Sequence, residues 1–299
     1  MTTPRQLQEH RVARLFVLPA LAGLFCFVLL PFVLAVMLSL TNLRLGSPLP
    51  LEYIGIEQYR RIFSDSAFLQ ALSNNLLFAL MVVPLQTGLA LALALLINQP
   101  LRARVAFRTL FFMPVVFPLS LVAVVWILLL APGSQGLFNH VLESLSLGRW
   151  EPVDFLHDTA WALPAIALTS IWQGIGFQMV IFLAALQSIP DELYQAASVD
   201  GANKWQQLLF ITLPQLRNAL VFVVLVTTIL SFRLFDQVQI MTQGGPQHAT
   251  TTVMYEAVTT GFGSQQVARG AAITVVFFVI VLVLTALQRY FLKQEREVE

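Results

Sequence analysis

Five stretches of the chain contain no Asp, Glu, Lys or Arg: Leu15 to Leu43, Ser66 to Leu101, Thr109 to Leu142, Thr159 to Pro190 and Gly270 to Gln288. A helix that crosses the hydrocarbon core of a bilayer needs about 20 mostly apolar residues, so each stretch is long enough to cross once. Among the 299 residues 57% are hydrophobic and only 11% charged, against about 25% charged in ordinary soluble domains. A β-barrel would alternate apolar and polar positions over segments of about 10 residues, and the sequence has no such alternation. The expected fold is therefore an all-α polytopic membrane protein.

A sixth apolar block, Leu216 to Met241, carries Arg233 and Asp236 within it. Counting it as a span gives six transmembrane helices, at about 14–40, 70–97, 105–130, 160–186, 216–241 and 268–291, in a single domain covering 1–299. The first block exceeds the 7–15 apolar residues of a signal-peptide core, and no small-residue cleavage site follows it. It is expected to be a permanent anchor. Lys and Arg collect on the cytoplasmic side of membrane proteins. Eleven lie on one side of the six-span arrangement: Arg5, Arg11 and Arg14; Arg102, Arg104 and Arg108; Lys204 and Arg217; Arg289, Lys293 and Arg296. Five lie on the other: Arg44, Arg60, Arg61, Arg149 and Arg269. Both termini and the segment 188–214 are thus expected in the cytoplasm.

Several chemistries lack their residues. No Gly-rich loop with a Lys is present to cradle phosphates, and no nucleophile elbow occurs. His10, His140, His157 and His248 are too scattered for a metal site, and the single Cys26 lies in the first span, so no disulfide or Cys-based metal site forms within the chain. The net charge of +1 and the absence of a basic tract argue against a nucleic-acid partner. Glu151, Asp154 and Asp158 read as solvated loop charge, because nothing apolar nearby would split their pKa values into an acid and a base. An enzyme is not expected, and no metal or cofactor is expected on this chain.

The segment between spans 4 and 5 is more than a connector. Ser188-Ile-Pro-Asp-Glu reads as a helix start, with Ser as cap, Pro in the first turn and acids at the positive end of the dipole. Leu193, Ala196 and Ala197 share one helical face, Gly201 suits a left-handed helix stop, and Pro214 marks the start of span 5. The segment lacks the basic face and bulky aromatic face of a helix lying on lipid. A short Ala-rich helix of this kind suits the groove of another protein.

The stretch LYQAASVDGANKWQQLLFITLP resembles the cytoplasmic loop of ABC-importer permeases, whose pattern runs Glu-Ala-Ala, Asp-Gly-Ala, hydrophobic-x-Leu-Pro. LFVLPALAGLFCFVLLPFVLAVMLSLTN resembles the first span of the sugar-type (maltose and glycerol-3-phosphate) permeases, YIGIEQYRRIFSD their first external loop, and FDQVQIMTQGGPQHATTT the end of their fifth common span. These landmarks cover nearly the whole chain in the family's order. The resemblance implies a coupling helix in 188–214 that docks in a cleft of an ATPase subunit, with Ala196, Ala197, Asp200, Gly201, Leu213 and Pro214 matching the pattern. Gln195 departs from it, standing where the motif has Glu. A Gln still accepts a hydrogen bond from an Arg, but a charged partner roughly doubles its strength. Glu192, one turn earlier, reads either as a substitute charge or as helix-start electrostatics.

Ionisable groups inside a span suggest a transport pathway. Arg233 and Asp236 are three residues apart, at a spacing that allows them to neutralise each other, with Ser231 and Gln237 nearby. WQGIGFQM supplies Trp172, Gln173, Gly174, Phe177 and Gln178 from span 4. Such amides, hydroxyls and rings suit a sugar, and the resemblance implies that spans 4 and 5 line the cavity, with Gly174, Phe177 and Ser231 near positions used by maltose-type permeases. A second reading stays open, in which Gln and Ser join helices and Arg233–Asp236 is a structural pair. The resemblance further implies an inner-membrane importer of carbohydrate or polyol, with a second permease, two ATPase subunits that use ATP and Mg, an external binding protein and surrounding lipid as partners. The alternative class is a self-sufficient secondary transporter or channel, which would usually show an internal repeat; none is evident.

Overall fold

The computed structural model describes residues 16–99, 103–133 and 136–292. Arg5, His10, Arg11, Arg14, Arg102, Lys293 and Arg296 therefore lie outside the described residues. The helices in chain order are α1 (Phe16–Ser39), α2 (Glu57–Phe63), α3 (Ser66–Asn98), α4 (Arg104–Val116), α5 (Leu119–Leu129), α6 (Leu137–Leu145), α7 (Ala162–Gln187), α8 (Asp191–Val199), α9 (Lys204–Gln215), α10 (Arg217–Phe232), α11 (Val253–Val258) and α12 (Val267–Leu292). Among the described residues the only β feature is one antiparallel bridge, Thr41 to Tyr53.

By length and composition α1, α3, α7 and α12 can each cross a membrane, and two bent pairs raise the number to six if each counts as one span. Residues 105–130, expected as one helix, are broken between α4 and α5 with a bend of 102°. The cause is Pro118, which holds the preceding residue away from the helical region: Phe117 has φ −78° and ψ 139°. Residues 216–241 are likewise not one helix, since α10 stops at Phe232 and helical structure resumes only at Asp236, running into a π-helical turn at Val238–Thr242. The step from α9 into α10 bends by 64°.

The described residues fall into two compact units. The first comprises Met1–Asp65 and Glu256–Phe278. Within it α1 carries a π-helical turn at Phe25–Leu29, ahead of Pro31, whose missing N–H leaves the regular ladder incomplete. Asn42 closes the following loop by donating to the Pro50 carbonyl at 3.1 Å and accepting from the Glu52 amide at 2.9 Å. Ser39 and Tyr59 hydroxyls meet at 2.6 Å, and Arg269 pairs with Asp65. Cys26 is exposed on α1.

The second unit comprises Ser66–Tyr255 and Val279–Glu299. Its centre is the pairing of α3 with α7, flanked by α4 and α10. Two apolar clusters fill it. One holds Phe78 and Val82 of α3, Ile166 and Ile171 of α7, Trp126 and Val238. The other holds Ala90 and Ala94 of α3, Met179, Phe182 and Leu186 of α7, and Val223 of α10. Along α3 and α7 the gap between the two clusters is polar: Gln86 and Thr87 on one helix, Gln173 and Gln178 on the other.

Asp154 and Asp158 act locally. The first accepts from the His157 ring at 3.0 Å, the second from the Ala160 amide at 2.7 Å just before α7. They are turn and helix-start acceptors, in keeping with loop charge.

Candidate functional site

The polar gap opens into a cavity of about 510 Å³ lined by α3, α7, α10 and the break after α10. Eight of the nine residues expected along a pathway border this cavity: Gln173, Gly174, Phe177, Gln178, Ser231, Arg233, Asp236 and Gln237. Trp172 does not. It is exposed, with its ring edge-on to Trp126 at a centroid distance of 5.8 Å. At 100° per residue, neighbours on a helix face different directions, so Trp172 and Gln173 diverge.

Local geometry explains why these side chains meet. Gly176 lets α7 touch α4 backbone to backbone, because a Cβ there would overlap the Phe111 carbonyl. Gly174 leaves room for the Gln86 carboxamide, which a Cβ would strike. Gln173 donates to the Phe117 carbonyl at 3.0 Å, a group freed by the break at Pro118. Gln178 donates to the Thr227 hydroxyl of α10 at 2.6 Å, so α7 and α10 are tied by one amide across the cavity wall.

The helix stop at Phe232 sets the remainder. Arg233 and Asp236, expected to neutralise each other on one helical face, are both exposed, and among the described residues no ion pair joins them. Their three-residue spacing brings side chains together only on a continuous helix, and residues 233–235 are not helical. The cavity thus presents a separate guanidinium and carboxylate.

Three polar atoms in the lining are buried without a hydrogen-bond partner: Gln178 Oε1, Ser231 Oγ and Gln237 Nε2. Each residue is only 3% exposed. Leaving such an atom unpaired costs about 1–3 kcal/mol. The set contains an acceptor, a donor and a hydroxyl that does both. Around it the cavity lining carries Arg233, Asp236 and the rings of Phe177 and Phe235.

Several lining residues were not anticipated from sequence. Gln86, Ser170 and Thr227 join the cavity; Asn75 of α3 is buried behind it, bonded to the end of α10, and Asn74 is buried against the loop 242–252. The available signal was uncharged polarity inside an apolar block, which a search for charges passes over.

The segment 188–214 forms a compact helical elbow. Helix α8 starts at Asp191 with Pro190 as its N-cap and Asp191 and Glu192 in its first turn. Ser188, expected as the cap, instead ends α7 and donates to the Ala185 carbonyl at 2.8 Å, since Pro190 resets the backbone two residues later. Gly201 has φ +80°, the left-handed stop expected. Asn203 and Gln206 form a reciprocal capping box that starts α9. Tyr194 meets Thr212 at 3.0 Å and Gln207 donates to Ser198 at 3.0 Å, so α8 is clamped to α9 along one face. Glu192, Leu193, Gln195, Ala196, Val199, Asp200 and Gly201 face outward and are exposed, while Ala197 is half-buried. Val199 is 88% and Trp205 73% exposed. Among the described residues no cluster of His, Cys, Asp and Glu has metal-binding geometry.

Residues 68–297 match the family described as "Binding-protein-dependent transport system inner membrane component". Similar proteins include the probable ABC transporter permease protein YurN of Bacillus subtilis (strain 168), 33% identical over 292 residues and covering 97% of this chain and 99% of the relative. The lactose transport system permease protein LacF of Rhizobium radiobacter is 33% identical over 286 residues, covering 94% of each chain. Among solved structures, a chain of a bacterial alginate ABC transporter in complex with an alginate pentasaccharide-bound periplasmic protein superposes with a TM-score of 0.83 at 22% identity, covering 96% of this chain and 95% of that one. The fold is shared.

Proposed function

This chain belongs to the binding-protein-dependent transport system inner membrane component family, and from that premise we propose that it is the permease subunit of an ATP-driven importer for a carbohydrate or related polyol. The family consists of transporter permeases rather than enzymes, and its description places it in the inner membrane. In this reading the cavity between α7 and α10 is a stage of the substrate's path. The observation that carries it is the convergence of Gln86, Gln173 and Gln178 with Ser231, Arg233, Asp236 and Gln237 on one cavity among otherwise apolar helices. Arg233 and Asp236 are exposed there and offer a donor and an acceptor to the hydroxyls of a passing molecule.

The chain supplies half of a pore. A second, homologous permease completes it, two ATPase subunits hydrolyse ATP with Mg, and an external binding protein delivers the substrate. Both termini and α8 face the cytoplasm, and α8 is the coupling helix. Its support is the division of its surface, clamped to α9 on one side and exposed through Leu193, Ala196 and Val199 on the other. Gln195 lies on the exposed side, so its contact with the ATPase rests on a neutral hydrogen bond where relatives of this type use a carboxylate.

The test is reconstitution in proteoliposomes of this chain alone and with its cognate permease, ATPase and binding protein. The radiolabelled probes are lactose, maltose and glycerol 3-phosphate. The chain alone is expected to show neither uptake nor ATP hydrolysis, and the full assembly to take up a probe that the binding protein retains. Uptake by the chain alone would establish a self-sufficient transporter instead.

A further inference from the structure

We propose that Asn75 is the positioning residue of the cavity, holding the break after α10 in register with the loop 242–252. The inference rests on the reading of the cavity as a transport path, and its geometry lies outside the lining itself. Asn75 sits in α3 with no exposed surface. Its Nδ2 donates to the Ser231 and Phe232 carbonyls at 3.4 and 3.3 Å. These belong to the last turn of α10, where helix carbonyls lack an intrahelical partner. Its Oδ1 accepts from the Val253 amide at 2.8 Å, the first N–H of α11. One planar carboxamide therefore closes the end of one helix and the start of another. A carboxamide is the group that suits both, because it carries donors and an acceptor without charge.

A second tether brackets the break from its other side. The Thr252 hydroxyl, buried, donates to the Leu234 carbonyl at 2.7 Å. Between these two attachments stands Arg233, and next to them Ser231, whose own hydroxyl is buried and unpartnered; both residues border the cavity. The backbone is pinned while the side chains stay free, which is the arrangement that presents polar groups at low reorganisation cost. Because the same carboxamide also holds the Val253 amide, a displacement of the loop 242–252 reaches the cavity wall through Asn75.

The test uses the assembled importer in membranes, with Cys26→Ser as background and single cysteines labelled by a small methanethiosulfonate reagent. Ser231→Cys reports the end of α10, and Val253→Cys the start of α11. Thr169→Cys is the control, being fully buried on α7 and bonded only within its own helix. Asn75→Asp keeps the acceptor for Val253 and loses both donors. It should raise labelling of Ser231→Cys about tenfold and leave Val253→Cys within about twofold. Asn75→Leu removes both halves and should raise the two rates together, with the Thr169→Cys rate unchanged. Unaltered labelling of Ser231→Cys in both variants overturns the proposal, and so does a parallel rise at Thr169→Cys, which marks general loosening. The labelling readout does not depend on substrate. If labelling responds as stated while uptake by both variants stays at the wild-type rate, the positioning role stands and the cavity's transport role falls.

Discussion

The loop 242–252 and the cavity wall are both built of buried amides and hydroxyls, yet they treat them in opposite ways. In the loop the groups are spent. Thr250 donates to the Gly245 carbonyl at 2.8 Å, Thr251 to Gly244 at 3.0 Å, and Asn74 to the His248 and Thr251 carbonyls at 2.8 and 2.9 Å. In the wall, Ser231 and Gln237, just ahead of the loop in sequence, and Gln178 of α7 each keep an atom unpaired. Burial and the kinds of polar group are alike in both places; what differs is hydrogen-bond saturation.

The largest effect should come from a change that touches neither region and so sets the scale for loss of function. Ala196→Arg on the exposed face of α8 is expected to abolish uptake and ATPase copurification while leaving thermal unfolding of the detergent-purified chain unchanged. Ala196 is the better site than Ala197, whose half-burial would mix docking with packing. Wild-type uptake with bound ATPase in this variant removes the coupling role of α8.

Next comes the saturated region. Asn74→Leu strands the buried Thr251 carbonyl and the part-buried His248 carbonyl and should cost about 2 kcal/mol of stability, read as a lowered unfolding temperature and yield. A variant as stable as wild type would place this network on the same footing as the cavity and dissolve the contrast.

In the unsaturated region the signs should reverse. Gln237→Leu removes an unpartnered donor in favour of an apolar group of similar size, which is close to neutral for stability. Its uptake is expected to fall about tenfold, equivalent to about 1.4 kcal/mol. A loss of stability matching that of Asn74→Leu would show that Gln237 is structural. Ser231→Ala, the smallest change, should lower uptake severalfold and leave the unfolding temperature the same or slightly raised, since its hydroxyl bonds nothing to lose.

Most of the helical framework was legible because long charge-free blocks admit little else. What the blocks concealed were the interruptions. Pro118 is visible in the sequence, but hydropathy does not register a backbone that turns by 102°. The stop at Phe232 follows from contacts with Asn75 and Thr252, residues far along the chain. The cavity residues were found through their charges and amides, and the pairing of Arg233 with Asp236 failed with the helix that would have aligned them. Trp172 was assigned by its neighbours in sequence, which on a helix are not its neighbours in space. Asn74 and Asn75 escaped because polarity without charge leaves a block looking apolar.

The two glycines of α7, two residues apart, would give an alanine scan two unrelated signals. At Gly174 the added methyl meets the movable end of the Gln86 side chain, so a loss of uptake there reports a reshaped lining. At Gly176 it meets the main chain of α4, which cannot step aside, and the helices must part along their length. A functional map drawn from such a scan would colour both positions alike and extend the substrate path into what is a bearing surface between two rods.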